Sequence, residues 1–113
     1  MSPHWEVLQS MEVQQWLTEL DESVRLAIER KFELLAVYGP HLHRPHVDHV
    51  KGSRYPNMKE LRITSRGPIR ILFCFDTQRR AVLLIAGWKS THKNWYDQMI
   101  PRADALMDDY LKR

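Results

Sequence analysis

One stretch decides the fold: MKELRITSRGPIRILFCFDTQRRAVLLIAGW, which runs from Met58 to Trp88. Within it apolar residues alternate with polar or smaller ones, as they do in strands with one buried face. SRGP at 65–68 and DTQR at 76–79 are turn sequences. AVLLIAGW is apolar at almost every position, which is typical of a central strand covered on both sides. The predicted strands of this antiparallel meander are Met58–Ile63, Ile69–Asp76 and Ala81–Trp88.

Helical spacing of apolar residues flanks the meander on both sides. One helix is predicted from Met11 to Leu20, and a second follows with Asp21 as its N-cap and Gly39-Pro40 at its end. Two helices joined by a tight turn form a helical hairpin with a shared apolar side. A third helix is predicted over 95–111, and Pro101 is a point where it could bend or divide.

The remaining segments are less regular. His4–Leu8 alternates weakly and suggests a short strand, whereas His41–Pro56 is rich in polar residues and proline and is interpreted as a long connection. The chain is therefore predicted to be a single α+β domain over residues 1–113. Its N-terminal helical hairpin packs on a small antiparallel sheet of three to four strands, and a C-terminal helix follows.

Length and composition agree with that prediction. A chain of 113 residues, 43% hydrophobic, can bury a core without disulfides, and its single cysteine excludes an intramolecular disulfide. We find neither a signal-like segment nor a run of about 20 apolar residues, so a cytoplasmic protein is expected.

Positive charge is concentrated in the middle of the chain. Residues 44–93 contain 11 basic and 3 acidic side chains, whereas 1–43 contain 3 basic and 7 acidic ones, and 94–113 contain 3 and 4. The net charge of +3 therefore understates a local positive potential that would attract a polyanion. Nucleic acid is the first partner to consider.

Two arginines of the meander are expected on the same face of the sheet. Arg62 and Arg70 lie on strand faces opposite the main apolar set, and Lys89 follows the third strand. Three converging cations without partners would be costly to bury, and a phosphodiester would compensate them. The alternative is that they are ordinary solvated charges.

Proton-transfer residues follow in KSTHKNWY, residues 89–96. Metal-independent RNA cleavage needs a base for the 2′-hydroxyl, an acid for the leaving 5′-oxygen and cations for the phosphorane. His92 and Tyr96 could share the first two roles, although His92 could equally be an exposed loop residue and Tyr96 a core residue. The other basic side chains expected to contact RNA are Lys51, Arg54, Lys59, Arg66 and Lys93.

The histidine-rich segment HLHRPHVDH, residues 41–49, contains residue types that bind zinc. It matches no standard spacing and has no accompanying cysteine, so we expect no metal site and no cofactor. Cys74 lies within an apolar strand and is interpreted as a small core residue.

Several segments together resemble the phage-derived, HigB-type branch of the RelE/ParE toxin superfamily. The matching segments are Gly39–Leu42, Arg44–Asp48, Lys51–Arg54, Asn57–Arg62, Ile69–Phe73 and Leu84–Lys89. The resemblance implies the toxin of a type II toxin–antitoxin pair, an endoribonuclease that cuts mRNA, usually on the translating ribosome.

By position, the resemblance assigns catalytic roles to Arg62, Arg70, Lys89 and Tyr96, with Trp95 as a less favoured alternative to Tyr96. RelE-type relatives have lysines where this chain has Met58 and Glu60. The general-base role is therefore not transferred, and His92 or Lys59 must be considered instead. The resemblance also implies a neutralising antitoxin with a helix-turn-helix domain.

Two other functions remain open at this point. The same superfamily contains gyrase poisons of the ParE type, which bind a protein target and generally lack a full catalytic set. The third possibility is a module that binds RNA or its antitoxin without catalysis. The five candidates Arg62, Arg70, Lys89, His92 and Tyr96 favour the nuclease.

Overall fold

A computed structural model describes residues 4–113. The helices are α1 (Met11–Thr18), α2 (Glu22–Tyr38) and α3 (Trp95–Leu111), and the strands are β1 (Glu6–Gln9), β2 (Val47–His49), β3 (Lys59–Thr64), β4 (Pro68–Phe75) and β5 (Arg80–Trp88). All five strands form one sheet in the order β1-β5-β4-β3-β2. The predicted α+β class and the order of helices around the meander are confirmed.

The sheet is larger than predicted and is not wholly antiparallel. It has five strands, and β1 pairs with β5 in parallel, with Val7 opposite Ala81. β2 lies inside the segment that was predicted to be a connection, and it pairs antiparallel with β3. A strand of three residues is too short to display a period of two, and a pairing between segments far apart in the chain leaves no local pattern.

The helical hairpin covers one face of the sheet. α1 and α2 contribute buried residues such as Val13 and Ile28, which pack on the odd-numbered side chains of β3 and β4, including Ile71 and Phe73. Ser10 begins α1: its Oγ accepts a hydrogen bond from the Val13 N–H and donates one to the Leu84 carbonyl. The shared apolar side predicted for the hairpin is thus confirmed.

α3 covers the opposite face. Its buried residues, among them Ile100 and Met107, pack on Leu72, Cys74 and Leu84. The helix is continuous through Pro101, which lies in its second turn. This face is apolar near the middle of β4 but charged at the end of the sheet where Arg70 lies, and that charged end is where the candidate site is found. Within residues 4–113, no helix is both long and apolar enough to cross a membrane.

Candidate active site

Arg62 and Arg70 face each other across neighbouring strands. Arg62 of β3 is the direct partner of Arg70 of β4, and Arg70 is in turn the partner of Gly87 of β5. Side chains of directly paired residues leave the sheet on the same face, so both arginine side chains start on the α3 side. Two like charges in this arrangement repel each other unless an anion lies between them.

Glu60 supplies one such anion. Its Oε2 lies 3.5 Å from Arg62 Nε and 3.8 Å from Arg70 Nε, and only 9% of its side chain is exposed. These distances are longer than a normal charge-assisted hydrogen bond, so the carboxylate stabilises both arginines without closing a bidentate pair with either. One carboxylate shared by two cations leaves the cluster with a net positive charge.

Arg70 is the more deeply buried of the two arginines. Its side chain is 7% exposed, and its Nη1 donates to the carbonyl of Ile69 at 3.0 Å. Within residues 4–113, its Nε is buried without a hydrogen-bond partner. A buried donor that lacks an acceptor is costly, so the geometry suits an anionic ligand that would supply one.

Tyr96 contacts the other carboxylate oxygen of Glu60. Its hydroxyl donates to Glu60 Oε1 at 2.5 Å, from the first turn of α3. Burial, together with the hydrogen bond to Glu60, raises the pKa of Tyr96 to about 12. Tyr96 therefore stays protonated at neutral pH and acts as a hydrogen-bond donor.

Trp95 is a core residue. It is buried, and its indole lies over Gly87: a Cβ added at Gly87 would be 2.9 Å from the indole Nε1. The missing side chain of Gly87 thus allows α3 to approach β5 beside Arg70. This contact brings Tyr96, the next residue, within reach of Glu60.

Lys89 and His92 lie on the segment between β5 and α3. Lys89 begins a short 3₁₀ turn after Trp88, and its Nζ lies 5.6 Å from the centre of the Tyr96 ring, within range of a cation–π contact. His92 is exposed, and we find no hydrogen bond or ion pair that joins it to the cluster. The structure therefore brings Lys89 to Tyr96 but does not bring His92 into contact.

The predicted RNA-contacting cations are dispersed. Lys51 is exposed at a small cavity of about 220 Å³ that Glu60 and Tyr96 also line. Lys93 is exposed beside His92. Lys59, the residue before Glu60 in β3, lines a different cavity together with Leu42 and His43. Because successive strand residues point to opposite faces, Lys59 is poorly placed to serve as the base beside Arg62 and Arg70.

Arg54 and Arg66 have acidic partners of their own. Arg54 forms a bidentate pair with Asp108 of α3, with its Nη2 at 2.6 Å from Oδ2. Arg66, in the turn between β3 and β4, forms an ion pair with Asp21, and both are largely exposed. Their contacts with RNA stay predictions, and any such contact would compete with these internal carboxylates.

Two aspartates of α3 hold the segment that precedes β3. Asp104 accepts hydrogen bonds from the Ser53 hydroxyl at 2.5 Å and from the Arg54 N–H at 3.0 Å, and the Tyr55 hydroxyl donates to Asp108. The hydrogen bonds of Arg54 and Tyr55 hold the pKa of Asp108 below its usual range. This clamp fixes the chain that leads into Glu60.

The histidine-rich segment does not gather into a metal site. Among residues 4–113, no three histidine, cysteine, aspartate or glutamate side chains are grouped so that they could hold a metal ion. His46 instead contacts Lys31, with its Nδ1 2.7 Å from Lys31 Nζ. Cys74 is buried in the core, and this burial raises the pKa of its thiol to about 12, so it is not a nucleophile at neutral pH.

Glu60 is the residue that sequence reasoning missed. It was interpreted only as a polar strand residue and as a departure from the lysine of related toxins. The available signal was its spacing: it precedes Arg62 by two residues and so shares its face. Its carboxylate lies within 4 Å of both arginines, a position that the structure gives neither to His92 nor to Lys59.

Comparison with known proteins identifies the family. The profile of the family described as "Phage derived protein Gp49-like (DUF891)" matches residues 15–108. The chain belongs to this family. Toxin HigB3 of Mycobacterium tuberculosis is 42% identical over 101 residues, which cover 88% of both chains. Toxin HigB2 of the same organism is 43% identical over 99 residues, covering 85% of this chain but 49% of that protein.

Solved structures support the same fold. A mutant of the Escherichia coli toxin RelE in its free state superposes with a TM-score of 0.65 at 12% identity, covering 88% of this chain and 97% of that one. The toxin–antitoxin complex RelBE2 of Mycobacterium tuberculosis gives a TM-score of 0.57 at 16% identity, covering 76% and 99%. The predicted HigB-like family is confirmed by the family profile and the HigB relatives, and the predicted RelE-like fold is confirmed by the solved structures.

Proposed function

We propose that this Gp49-like toxin is an endoribonuclease that cuts mRNA on the ribosome without a metal ion. The observation that carries the proposal is the row formed by Arg62 and Arg70, with the buried carboxylate of Glu60 beside it. Tyr96 contacts Glu60 through its hydroxyl and Lys89 through its ring. Glu60 pairs with Leu72, further along β4 than Arg70, whereas Lys89 follows β5 beyond Gly87. Glu60 and Lys89 thus supply a base and a proton donor next to two cations, which are the groups that cleavage at phosphorus requires.

The proposed step is a transfer of the phosphoryl group to the neighbouring ribose oxygen. Glu60 takes the proton of the 2′-hydroxyl, and the 2′-oxygen forms a bond to phosphorus. The bond from phosphorus to the 5′-oxygen breaks, and the Lys89 ammonium gives that oxygen a proton. The products are a 2′,3′-cyclic phosphate and a 5′-hydroxyl, and solvent restores the protonation of Glu60 and Lys89.

The arginines stabilise the charge that develops during this step. The phosphorane carries an extra negative charge on its equatorial oxygens, and two preorganised guanidinium groups in a largely buried site favour it. Tyr96, protonated and bonded to Glu60, is a positioning residue that holds the carboxylate towards the arginines.

His92 and the exposed lysines take secondary roles in this proposal. His92, three residues after Lys89, is the second proton donor on the same segment and the alternative acid. Lys51 and Lys93 lie at the rim and attract the phosphate backbone, whose sequence-independent electrostatics dominate nucleic-acid affinity.

A partner protein follows from the same charge distribution. A cationic cluster that is open to RNA would harm the cell that makes it, so we propose that a cognate antitoxin with a helix-turn-helix domain neutralises it in the cytoplasm. The RelBE2 structure is a toxin–antitoxin complex, which supports a partner of this kind.

The test is primer-extension mapping of mRNA ends after incubation with the purified protein, with and without translating ribosomes. We expect new 5′ ends only with ribosomes. Arg79→Asn is the matched control, because Arg79 lies in the turn at the far end of β4 and asparagine tolerates its φ of 62°. Intact mRNA together with inhibited DNA supercoiling by gyrase would instead identify a gyrase poison, and intact mRNA without such inhibition would indicate a non-catalytic module.

A further inference from the structure

A second cavity lies on the other side of the arginine row. It has a volume of about 510 Å³ and lies between α2 and the end of β3, where Thr64 and Pro45 form part of its wall. Among the described residues that line it, four are basic and none is acidic. The basic residues are Arg30, Lys31, Arg62 and Arg70.

The cavity is open because β2 is short. β2 pairs only with 59–61 of β3, and the last contact beyond it is the Arg62 N–H donating to the His46 carbonyl at 2.8 Å. The outer edge of β3 is therefore uncovered from Ile63 onwards. α2, which packs on this half of the sheet, brings Arg30 and Lys31 to the uncovered edge.

Lys31 has a neutral partner in place of a carboxylate. Its Nζ donates to His46 Nδ1 at 2.7 Å, and burial lowers its pKa. Arg70, which lines the same cavity, is more than nine-tenths buried, and its nearest carboxylate oxygen, on Glu60, is 3.8 Å away. A half-buried ammonium and a buried guanidinium that both lack full compensation point to an anion as the natural occupant.

We propose that this cleft binds the nucleotide on the 3′ side of the cut, with Arg30 and Lys31 contacting the phosphate that follows the scissile one. The proposal rests on the nuclease function proposed above and deepens it. Glu60 must face the 2′-hydroxyl of the nucleotide on the 5′ side, which occupies the small cavity beside Lys51 and Tyr96. The strand then passes the arginine row, so its continuation in the cleft is the 3′ side.

The size of the cleft agrees with this occupant. A volume of about 510 Å³ lies within the range of small-molecule sites and exceeds what a phosphate alone would fill. Cations that contact a backbone phosphate add affinity without reading the base. The cleft therefore fixes the register of the strand at the cut and leaves the choice of base to other contacts.

The experiment is a binding titration of the full chain with short fluorescent oligoribonucleotides that carry a 2′-deoxy residue at the cut site. One oligonucleotide has normal phosphates, and a second has a neutral methylphosphonate at the phosphate 3′ to the cut. The proteins are wild type, the double variant Arg30→Gln/Lys31→Gln, and Arg25→Gln. Arg25 lies on the same helix, and its guanidinium donates a hydrogen bond to the Leu20 carbonyl.

We expect the methylphosphonate to weaken binding by wild type and by Arg25→Gln, but not by the double variant. The slope of log K against log salt should become shallower by about 0.7 in the double variant, since the contact with one phosphate is lost and each neutralised phosphate on a single strand contributes about that amount. Circular dichroism checks that the double variant retains its helices.

Two results would overturn the proposal in different ways. If the double variant binds with the wild-type affinity, salt slope and methylphosphonate sensitivity while wild type cleaves mRNA, the cleft assignment fails and the nuclease stands. If wild type neither binds these oligonucleotides nor cleaves mRNA on ribosomes, the proposed function fails, and the cleft assignment fails with it.

Discussion

Arg54 and Arg70 are both arginines of the basic middle segment, yet their surroundings are opposite. Arg54 is 62% exposed and forms a bidentate pair with Asp108, with Asp104 3.9 Å away. Arg70 is 7% exposed, and its nearest carboxylate oxygen, on Glu60, is 3.8 Å away and shared with Arg62. The exposed arginine is therefore fully compensated within the chain, whereas the buried one is not.

This difference distinguishes a structural arginine of the basic segment from a candidate ligand-binding one. A surface pair such as that of Arg54 holds a loop in place, and its loss should change stability more than chemistry. A buried cation without a full partner is tolerated only where the fold constrains it, and such sites are common where a ligand binds. Charge counting along the sequence cannot separate the two cases, because both arginines add the same +1.

The largest expected effect comes from replacing each of the two arginines in turn by alanine. Arg70→Ala should reduce ribosome-dependent cleavage by about 10²- to 10³-fold and abolish growth arrest, because one preorganised contact to the transition state is removed. Arg54→Ala should lower the melting temperature while cleavage at low temperature stays close to wild type. Primer extension measures the first effect and thermal unfolding the second.

A fully toxic Arg70→Ala variant would remove Arg70 from the mechanism. Antitoxin binding by the purified variant serves as the folding control for this test. If Arg54→Ala instead abolished cleavage at unchanged melting temperature, the distinction between the two arginines would be wrong, and Arg54 would belong to the RNA surface as its position in the sequence suggested.

Glu60 gives the next largest effect. Glu60→Gln keeps the shape and one acceptor for Tyr96 but removes the base, so the cleavage rate should fall by about 10²-fold or more. Asp48→Asn is the matched control: Asp48 Oδ2 is the other carboxylate oxygen near Arg62, at 3.9 Å, but its principal partner is Arg44. Single-turnover cleavage rates compare the two, and equal losses in both variants would contradict the assignment of the base.

Most of the fold could be predicted because it is local. The alternation in β3 and β4, the uniformly apolar β5 and the helical spacing of α2 each lie within one short window. The short strand predicted near residues 4–8 is present as β1, but its parallel pairing with β5 was not predicted, and β2 was missed. The pairing of β1 with β5 joins segments far apart in the chain, and β2 exists because β3 offers it a partner rather than because its three residues favour a strand.

The site could be predicted only in part. Strand alternation was sufficient to place Arg62 and Arg70 together, because cross-strand pairs follow from the register of a short hairpin. The involvement of Tyr96 depends on how closely α3 approaches Gly87, and the isolation of His92 depends on the path of a loop. Neither leaves a periodic trace in the sequence.

The clamp below the site gives a smaller, purely structural effect. Asp104→Ala leaves the Ser53 hydroxyl and the Arg54 N–H without their acceptor. Loss of a partner for buried donors costs about 1–3 kcal/mol, so the free energy of unfolding in urea should fall by that amount. Asp109→Ala, an exposed acid on the same helix, should change it by less than about 0.5 kcal/mol. Equal stability of the two variants would show that the clamp contributes nothing.

The smallest expected effect is at Tyr96. Measuring both the cleavage rate and the folding stability at alkaline pH distinguishes a positioning role of its hydroxyl from a role in packing. The pKa of Tyr96 is about 12 in the folded chain, above the value near 10 expected when unfolded, because burial and Glu60 disfavour the phenolate. The unfolded chain therefore loses this proton first as the pH rises, so wild type should lose stability from about pH 10 and level off near 12. Tyr96→Phe removes that part of the slope, and it should slow cleavage by less than about tenfold because one hydrogen bond to Glu60 is lost.

Tyr110→Phe is the matched control for Tyr96→Phe. The Tyr110 hydroxyl donates to Asp76 at 2.7 Å, at the far end of β4, and burial raises its pKa as well. Without this hydroxyl, the chain should also lose less stability as the pH rises into the alkaline range. Cleavage should stay unchanged, because Asp76 pairs with Arg80 and lies in the turn after β4, away from the arginine row. If both phenylalanine variants cleave mRNA equally well, the hydrogen bond to Glu60 is structural, and the carboxylate is held in place by Arg62 and Arg70 alone.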